Sequence, residues 1–207
     1  ILTTRKSEMT PLSDKQLEDS LQKTLKENND CKKVWVFAYG ALMWAPCFKP
    51  EASSTGILKG WARKPCLWTL TARGSPKKPG IVFALDEAKG KVCNGLLLKI
   101  SPSRLKTDLL SLWQREMYMG LYKPAWLPVT TEGKEIMAIC FVVNRNHKLF
   151  IRDLSKISLI YAISDAQGEY GTCLEYYQKT LSSLNKLGLE DKDIQKLTAE
   201  VMKRSNI

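Results

Sequence analysis

Strand-like patterns fill this sequence from Val34 to Val143, and helix-like patterns take over from Leu154. Strands first and helices last do not alternate as βαβ units require, so a doubly wound parallel sheet is excluded. The order predicts an α+β fold: a mixed, curved or barrel-like sheet with helices around it. Val34–Tyr39 reads as a buried strand stopped by Gly40. Strands are predicted over Gly56–Arg63 and Cys66–Thr71, then over Ile81–Leu85 and Val92–Ile100 with a turn at Gly90 between them. Arg73 to Gly80 is a loop by its Gly, Ser and Pro content. One helix interrupts the strands, opened by Ser101 and Pro102 as N-cap and first position and closed by Gly120. Tyr122–Thr130 and Glu135–Val143 complete the strands. Helices follow over 154–166, over 172–187 with Gly188 as its stop, and from Asp191. Ahead of the first strand, Ser13 and Gln16 form a capping-box pattern, with Leu17, Leu21 and Leu25 at helical spacing. That short helix ends near Asn28 and Asn29. Residues 1–12 read as disordered, and residues 1–33 as an extension of a single domain spanning 34–207.

The chain has 207 residues, 44% hydrophobic and 26% charged, enough to bury a core without disulfide or metal staples. No apolar run approaches the roughly 18 residues that cross a bilayer. The start, Ile-Leu-Thr-Thr, lacks a basic-then-apolar leader. Six cysteines at irregular spacing include no CxxC pair, which points away from zinc and towards reduced thiols in the cytosol. His147 is the only histidine and sits in a polar turn, so multi-histidine metal sites are excluded. The chemistry falls to a carboxylate, a tyrosine or backbone groups. The net charge of +11 is spread along the chain, densest at Arg63-Lys64 and Lys77-Lys78, with no basic run interleaved by aromatics. It reads as a solvated surface, or as attraction for an anionic small substrate, before it reads as a nucleic-acid patch.

Three local patterns carry chemistry. On the helix after Pro102, Leu105, Leu109, Leu112 and Trp113 form an apolar stripe, and Glu116 falls within it. A glutamate there faces the core or a cleft, where desolvation raises its pKa to the range of a general acid–base. A buried ion pair, or a side chain reaching solvent at the helix end, would give the same spacing. Next, Tyr39-Gly40-Ala41-Leu42-Met43-Trp44 follows a buried strand directly, and its amides can form an anion-holding nest or an ordinary turn. Last, Gly168-Glu169-Tyr170-Gly171-Thr172 leads into Glu175-Tyr176-Tyr177, where two glycines before a helix either cradle an anion or merely connect.

Taken together these segments resemble the ChaC-type γ-glutamylcyclotransferases. Val34–Trp44 resembles the family's W-[VI]-F-G-Y-G-S-L-x-W signature. Arg73-Gly74-Ser75 with Pro79-Gly80 resembles its R-G-[ST]…P-G loop, and Leu112–Met117 its L-x-x-R-E segment. Ala166 to Tyr176 resembles its A-x-G-x-x-G-x-N-x-[EQ]-Y block. The resemblance implies a small barrel-like mixed sheet surrounded by helices. It also implies a reaction that uses no metal, nucleotide or other cofactor. The α-amine of a γ-glutamyl group attacks its own δ-carbonyl, giving 5-oxoproline and releasing the amine, Cys-Gly when the substrate is reduced glutathione. It makes Glu116 the acid–base and Tyr39, Gly40, Ala41 and Leu42 the turn that binds the γ-glutamyl part, with Arg73 and Tyr176 as further substrate-binding positions. The implied partner is a small γ-glutamyl compound, not nucleic acid or membrane. Four departures stand out: Ala38 and Ala41 replace a glycine and a serine, Ile81 an arginine, and Cys173 an asparagine. They leave open a catalytically weakened γ-glutamyl-binding or regulatory module.

Overall fold

The computed structural model describes residues 10–28 and 33–205. The expected disorder through residue 9, the helix end at Asn29 and Cys31 lie outside these. The described residues form two compact units.

The larger unit comprises Thr10–Arg63 and Leu85–Asn144. Its first helix, α1 (Asp14–Lys26), starts with the predicted capping box between Ser13 and Gln16. Leu17, Leu21 and Thr24 are its buried residues, whereas Leu25 is half-exposed. The threonine buries because its hydroxyl bonds back to the Ser20 carbonyl, which satisfies it inside the helix. Ahead of α1, Leu12 is not loose: its N–H donates to the Tyr118 carbonyl at 2.8 Å.

Five strands close into a barrel: β1 (Trp35–Ala38), β2 (Ala52–Thr69), β3 (Gly80–Lys99), β4 (Tyr122–Thr131) and β5 (Lys134–Val143), in the order β1-β3-β2-β4-β5. β1 runs antiparallel to β3, with Trp35 opposite Lys99 and Ala38 opposite Leu96. It closes the barrel by lying parallel to β5 at Val36 and Ile139. β4 and β5 form a hairpin whose turn, Glu132-Gly133, has φ of 47° and 74°. Positive φ at both central residues matches the twist of a two-residue hairpin.

Two expected strand pairs are each one strand. β2 continues through Lys64-Pro65, because proline's fixed φ suits an extended chain even though it donates no bond. β3 continues through Gly90, which takes φ 78° inside the strand. A glycine at positive φ bends a ladder as readily as it ends one.

Between β3 and β4, a 3₁₀ turn at Pro102–Arg104 leads into α2 (Leu105–Met117). Leu109, Leu112 and Trp113 are buried as the stripe requires, and the Trp113 ring meets Phe141 of β5 edge-on at 5.4 Å. The Trp113 indole donates to the Ser20 hydroxyl of α1.

The smaller unit comprises Lys64–Ala84 and the described part of Arg145–Ile207. It holds α3 (Lys156–Asp165), a two-residue pair β6 (Gln167–Gly168) and β7 (Gly171–Thr172), α4 (Cys173–Lys186) and α5 (Lys192–Ser205). Gly188, at φ 67°, ends α4 as predicted, and the Leu189 N–H returns to the Leu184 carbonyl. α4 is pinned to the first residues of β3. Cys173 Sγ donates to the Ile81 carbonyl at 3.1 Å and accepts from the Ile81 N–H at 3.4 Å. One helical turn on, the Tyr176 hydroxyl accepts the Phe83 N–H at 3.3 Å. Two of the family departures, Ile81 and Cys173, are thus bonded to each other.

Beside them Tyr177 is fully buried, and its hydroxyl has no hydrogen-bond partner among the described residues. Replacing Tyr177 with Phe is therefore expected to stabilise the protein. An unsatisfied buried polar group costs about 1–3 kcal/mol, so thermal unfolding should show an unchanged or raised midpoint. A lowered midpoint would mean that the hydroxyl is satisfied.

Candidate active site

Glu116 sits one residue from the end of α2, on the stripe that faces the barrel. Its side chain retains 17% exposure, so it is sheltered without being sealed. Burial pushes its carboxyl above the usual carboxylate range, against the pull of the neighbouring Arg115 guanidinium, whose Nε is 3.3 Å away. Of the readings open for this residue, the pair with Arg115 is present, but Arg115 also has a second partner. Its Nη1 donates to the Ala45 carbonyl. That contact ties the end of α2 to the loop following the Tyr39–Leu42 turn, since the Ala45 N–H in turn donates to Ala41 at 2.8 Å. Cys47, farther along the same loop, lies within electrostatic reach of both groups. Burial pushes its thiol up, Arg115 opposes this, and Glu116 adds to it.

The turn itself leaves β1 at Ala38. Tyr39 is 8% exposed, and its hydroxyl donates to the Phe141 carbonyl at 2.7 Å. Ala41–Met43 forms a single 3₁₀ turn with Gly40 as its N-cap. The amides of Ala41 and Leu42 open that turn, so they have no acceptor within it. No protein acceptor takes the Gly40 N–H among the described residues. Backbone donors gathered this way can hold an anionic or carbonyl oxygen. The methyl of Ala41 adds no donor of its own.

Arg73 and Tyr176 lie in the smaller unit and meet there: the Arg73 guanidinium carbon is 6.0 Å from the Tyr176 ring centroid. Arg73 is 6% exposed, and its Nη1 donates to Glu175 at 3.0 Å and to the Thr172 carbonyl at 3.3 Å. The helix start that follows Gly168 and Gly171 is capped by its own Thr172 hydroxyl, which accepts the Glu175 N–H. The anion beside Gly171 is the Glu175 carboxylate, which Lys179 also pairs at 2.7 Å, whereas Gly168 packs on the backbone of Thr71, Ala72 and Gly74. Arg73 and Lys179 hold Glu175 in the low carboxylate range, Lys179 most strongly.

Sequence reasoning missed Arg63. It counted as part of a solvated basic pair, yet it is 7% exposed. Its place in a strand, where alternate residues turn inward, was the available signal. Cys47 and Arg115 were also passed over, since neither spacing nor composition shows a loop meeting a helix end. His147 lies in a turn as expected, with Nδ1 accepting the Leu149 N–H. It lines a cavity of about 500 Å³ with Trp68 and Phe150, none of them a predicted site residue. No helix among the described residues is long and apolar enough to cross a membrane.

The profile described as "ChaC-like protein" matches residues 34–204. The chain is 34% identical to the glutathione-specific γ-glutamylcyclotransferase of Escherichia coli (strain K12), over 92% of this chain and 82% of that protein. It is 26% identical to glutathione-specific γ-glutamylcyclotransferase 1 of Danio rerio, over 69% and 74% of the two chains. Its fold is similar to the crystal structure of a γ-glutamylcyclotransferase specific to glutathione from yeast. The TM-score is 0.76 at 17% identity, covering 83% of this chain and 96% of the other. A profile spanning β1 to α5, and a relative above 30% identity over most of its length, make this chain a member of the ChaC-like protein family.

Proposed function

We propose that this chain cleaves reduced glutathione to 5-oxoproline and Cys-Gly, with Glu116 as the acid–base. The observation that carries the reading is the state of Glu116: a sheltered carboxyl with a raised pKa, tied through Arg115 to the loop behind a turn of backbone donors. The family membership and the names of its relatives support the substrate.

The reaction places two demands on the protein. The α-ammonium of the γ-glutamyl group must lose a proton before its nitrogen attacks the δ-carbonyl carbon. The departing cysteinyl nitrogen must gain one as its C–N bond breaks. One carboxyl of raised pKa does both in turn, as base and then as acid. No water is consumed, because the nucleophile belongs to the substrate. Attack within one molecule leaves the site mainly the task of holding the folded conformer. In this reading the Gly40, Ala41 and Leu42 amides grip the γ-glutamyl part, while Tyr39 closes the base of the turn. Arg73 and Tyr176 act by holding α4 against the loop and the start of β3. The reading includes a reducing cytosolic setting, consistent with Cys47, Cys66, Cys93, Cys140 and Cys173 lying outside any disulfide among the described residues.

Specificity is tested on a panel of γ-glutamyl compounds by measuring kcat/KM for 5-oxoproline release. Reduced glutathione is expected to exceed the γ-glutamyl-amino acids. Equal values across the panel would contradict a glutathione-specific site.

A further inference from the structure

We propose that Arg63 is a positioning residue that ends the β1–β3 ladder and so releases the Gly40 N–H for substrate. This deepens the glutathione reading and rests on it. β1 and β3 pair antiparallel with Ala38 opposite Leu96, so Gly40 would face Asn94 if the ladder ran two residues further. In an antiparallel pair, hydrogen-bonded and non-bonded positions alternate. The Ile100 N–H donates to the Val34 carbonyl, which marks Val34 and Ile100 as a bonded pair. Counting in twos from there, Ala38 with Leu96 is a bonded position and so is Gly40 with Asn94. The ladder would therefore give the Gly40 N–H to the Asn94 carbonyl.

Arg63 takes that carbonyl instead. Its Nη2 donates to Asn94 and its Nε to the Tyr39 carbonyl. The strand β1 stops at Ala38, and the Gly40 N–H is left without a protein acceptor among the described residues. The second contact sets direction. The Tyr39–Gly40 peptide is trans, so its N–H points opposite to its C=O. A Tyr39 carbonyl held towards Arg63 turns the Gly40 N–H away from Arg63. A hydrogen bond on the carbonyl also polarises that peptide and strengthens its N–H as a donor. Arginine suits the task because its planar fork reaches two carbonyls at once, one just past the end of β1 and one on β3, where a lysine ammonium lacks that fixed geometry.

The test uses Arg63→Lys and Arg63→Met, with two readouts on each folded variant. In amide hydrogen exchange, the Gly40 N–H should gain protection as Asn94 recaptures it. In kinetics with reduced glutathione, kcat/KM should fall on the order of 10²-fold, the effect of a displaced positioning group. The pH midpoint set by Glu116 should stay where it is. A purely structural Arg63 predicts a lower melting temperature with Gly40 exchange and kcat/KM per folded molecule unchanged, and that outcome overturns the proposal. Should neither variant fold, the wild-type protein decides by NMR on titration with 5-oxoproline. The Arg63 Nε–H and Gly40 N–H signals should move together, and a Gly40 shift with Arg63 unmoved also overturns it. Absence of 5-oxoproline release by the wild-type enzyme would instead remove the glutathione reading, so the two failures are distinguishable.

Discussion

Glu116→Gln is expected to fold normally and to lose about 10²–10⁴-fold in turnover, the usual contribution of a positioned acid–base. Glutamine keeps the size and the hydrogen-bonding capacity of the side chain but moves no proton. Stability should hold or rise, because a charge that burial disfavours is removed. The contrary pattern belongs to a structural ion pair with Arg115. There the variant would strand the guanidinium, lower the melting temperature, and keep its turnover per folded molecule. The 17% exposure of Glu116, and the second hold on Arg115 at Ala45, both argue for the first pattern.

The raised pKa adds a signature in pH. In the folded state Glu116 binds its proton more tightly than in the unfolded chain, where a glutamate titrates near pH ~4.3. Between that pH and the folded pKa, the folded state carries more protons, so stability from this group falls as pH rises. Melting curves of wild type and Glu116→Gln should therefore diverge upward from pH ~4.3 in favour of the variant, and run parallel once Glu116 is ionised. Curves that stay parallel throughout would show an unperturbed carboxyl.

The second large effect is expected at Gly168→Ala. A Cβ there would overlap the Thr71 carbonyl oxygen and lie 2.6 Å from both the Ala72 carbonyl carbon and the Gly74 nitrogen. All three are backbone atoms, so no side chain can swing aside. The approach is held by two bonds, from the Glu169 N–H to Thr71 and from the Tyr170 N–H to Ala72. Overpacking usually costs about 1–3 kcal/mol, and with rigid backbone on every side the cost should lie at the top of that range or above it. Chemical denaturation should show the loss. A variant as stable as wild type would mean that the loop after β2 gives way easily. Activity per folded molecule is the companion measurement, because Arg73 sits in that loop.

These positions also show what a sequence can disclose. The strand Val34–Tyr39, its stop at Gly40 and the stripe that carries Glu116 were legible because each rests on periodicity along one segment. The closed barrel was legible in class only, since strand order depends on pairings between distant residues. Pro65 and Gly90 looked like strand ends, but an extended chain tolerates the first and a bent ladder the second. Thr24 took the buried place expected of Leu25, because a back-bonded hydroxyl brings no unsatisfied group into the core. Gly168 and Gly171 suggested an anion cradle, but Gly168 packs on the backbone of Thr71 to Gly74 and the carboxylate beside Gly171 is the chain's own Glu175. Arg63 was hidden for the same reason: its partners, Tyr39 and Asn94, are 24 and 31 residues away and offer only backbone carbonyls. Main-chain partners leave no trace in side-chain patterns.

The most direct measurement incubates the purified protein with millimolar reduced glutathione and quantifies both products over time. The account predicts 5-oxoproline and Cys-Gly in equal amounts, over many turnovers, without added metal or nucleotide, and their near disappearance with Glu116→Gln. Binding of glutathione without release of 5-oxoproline by the wild-type protein, or release undiminished by Glu116→Gln, would contradict it.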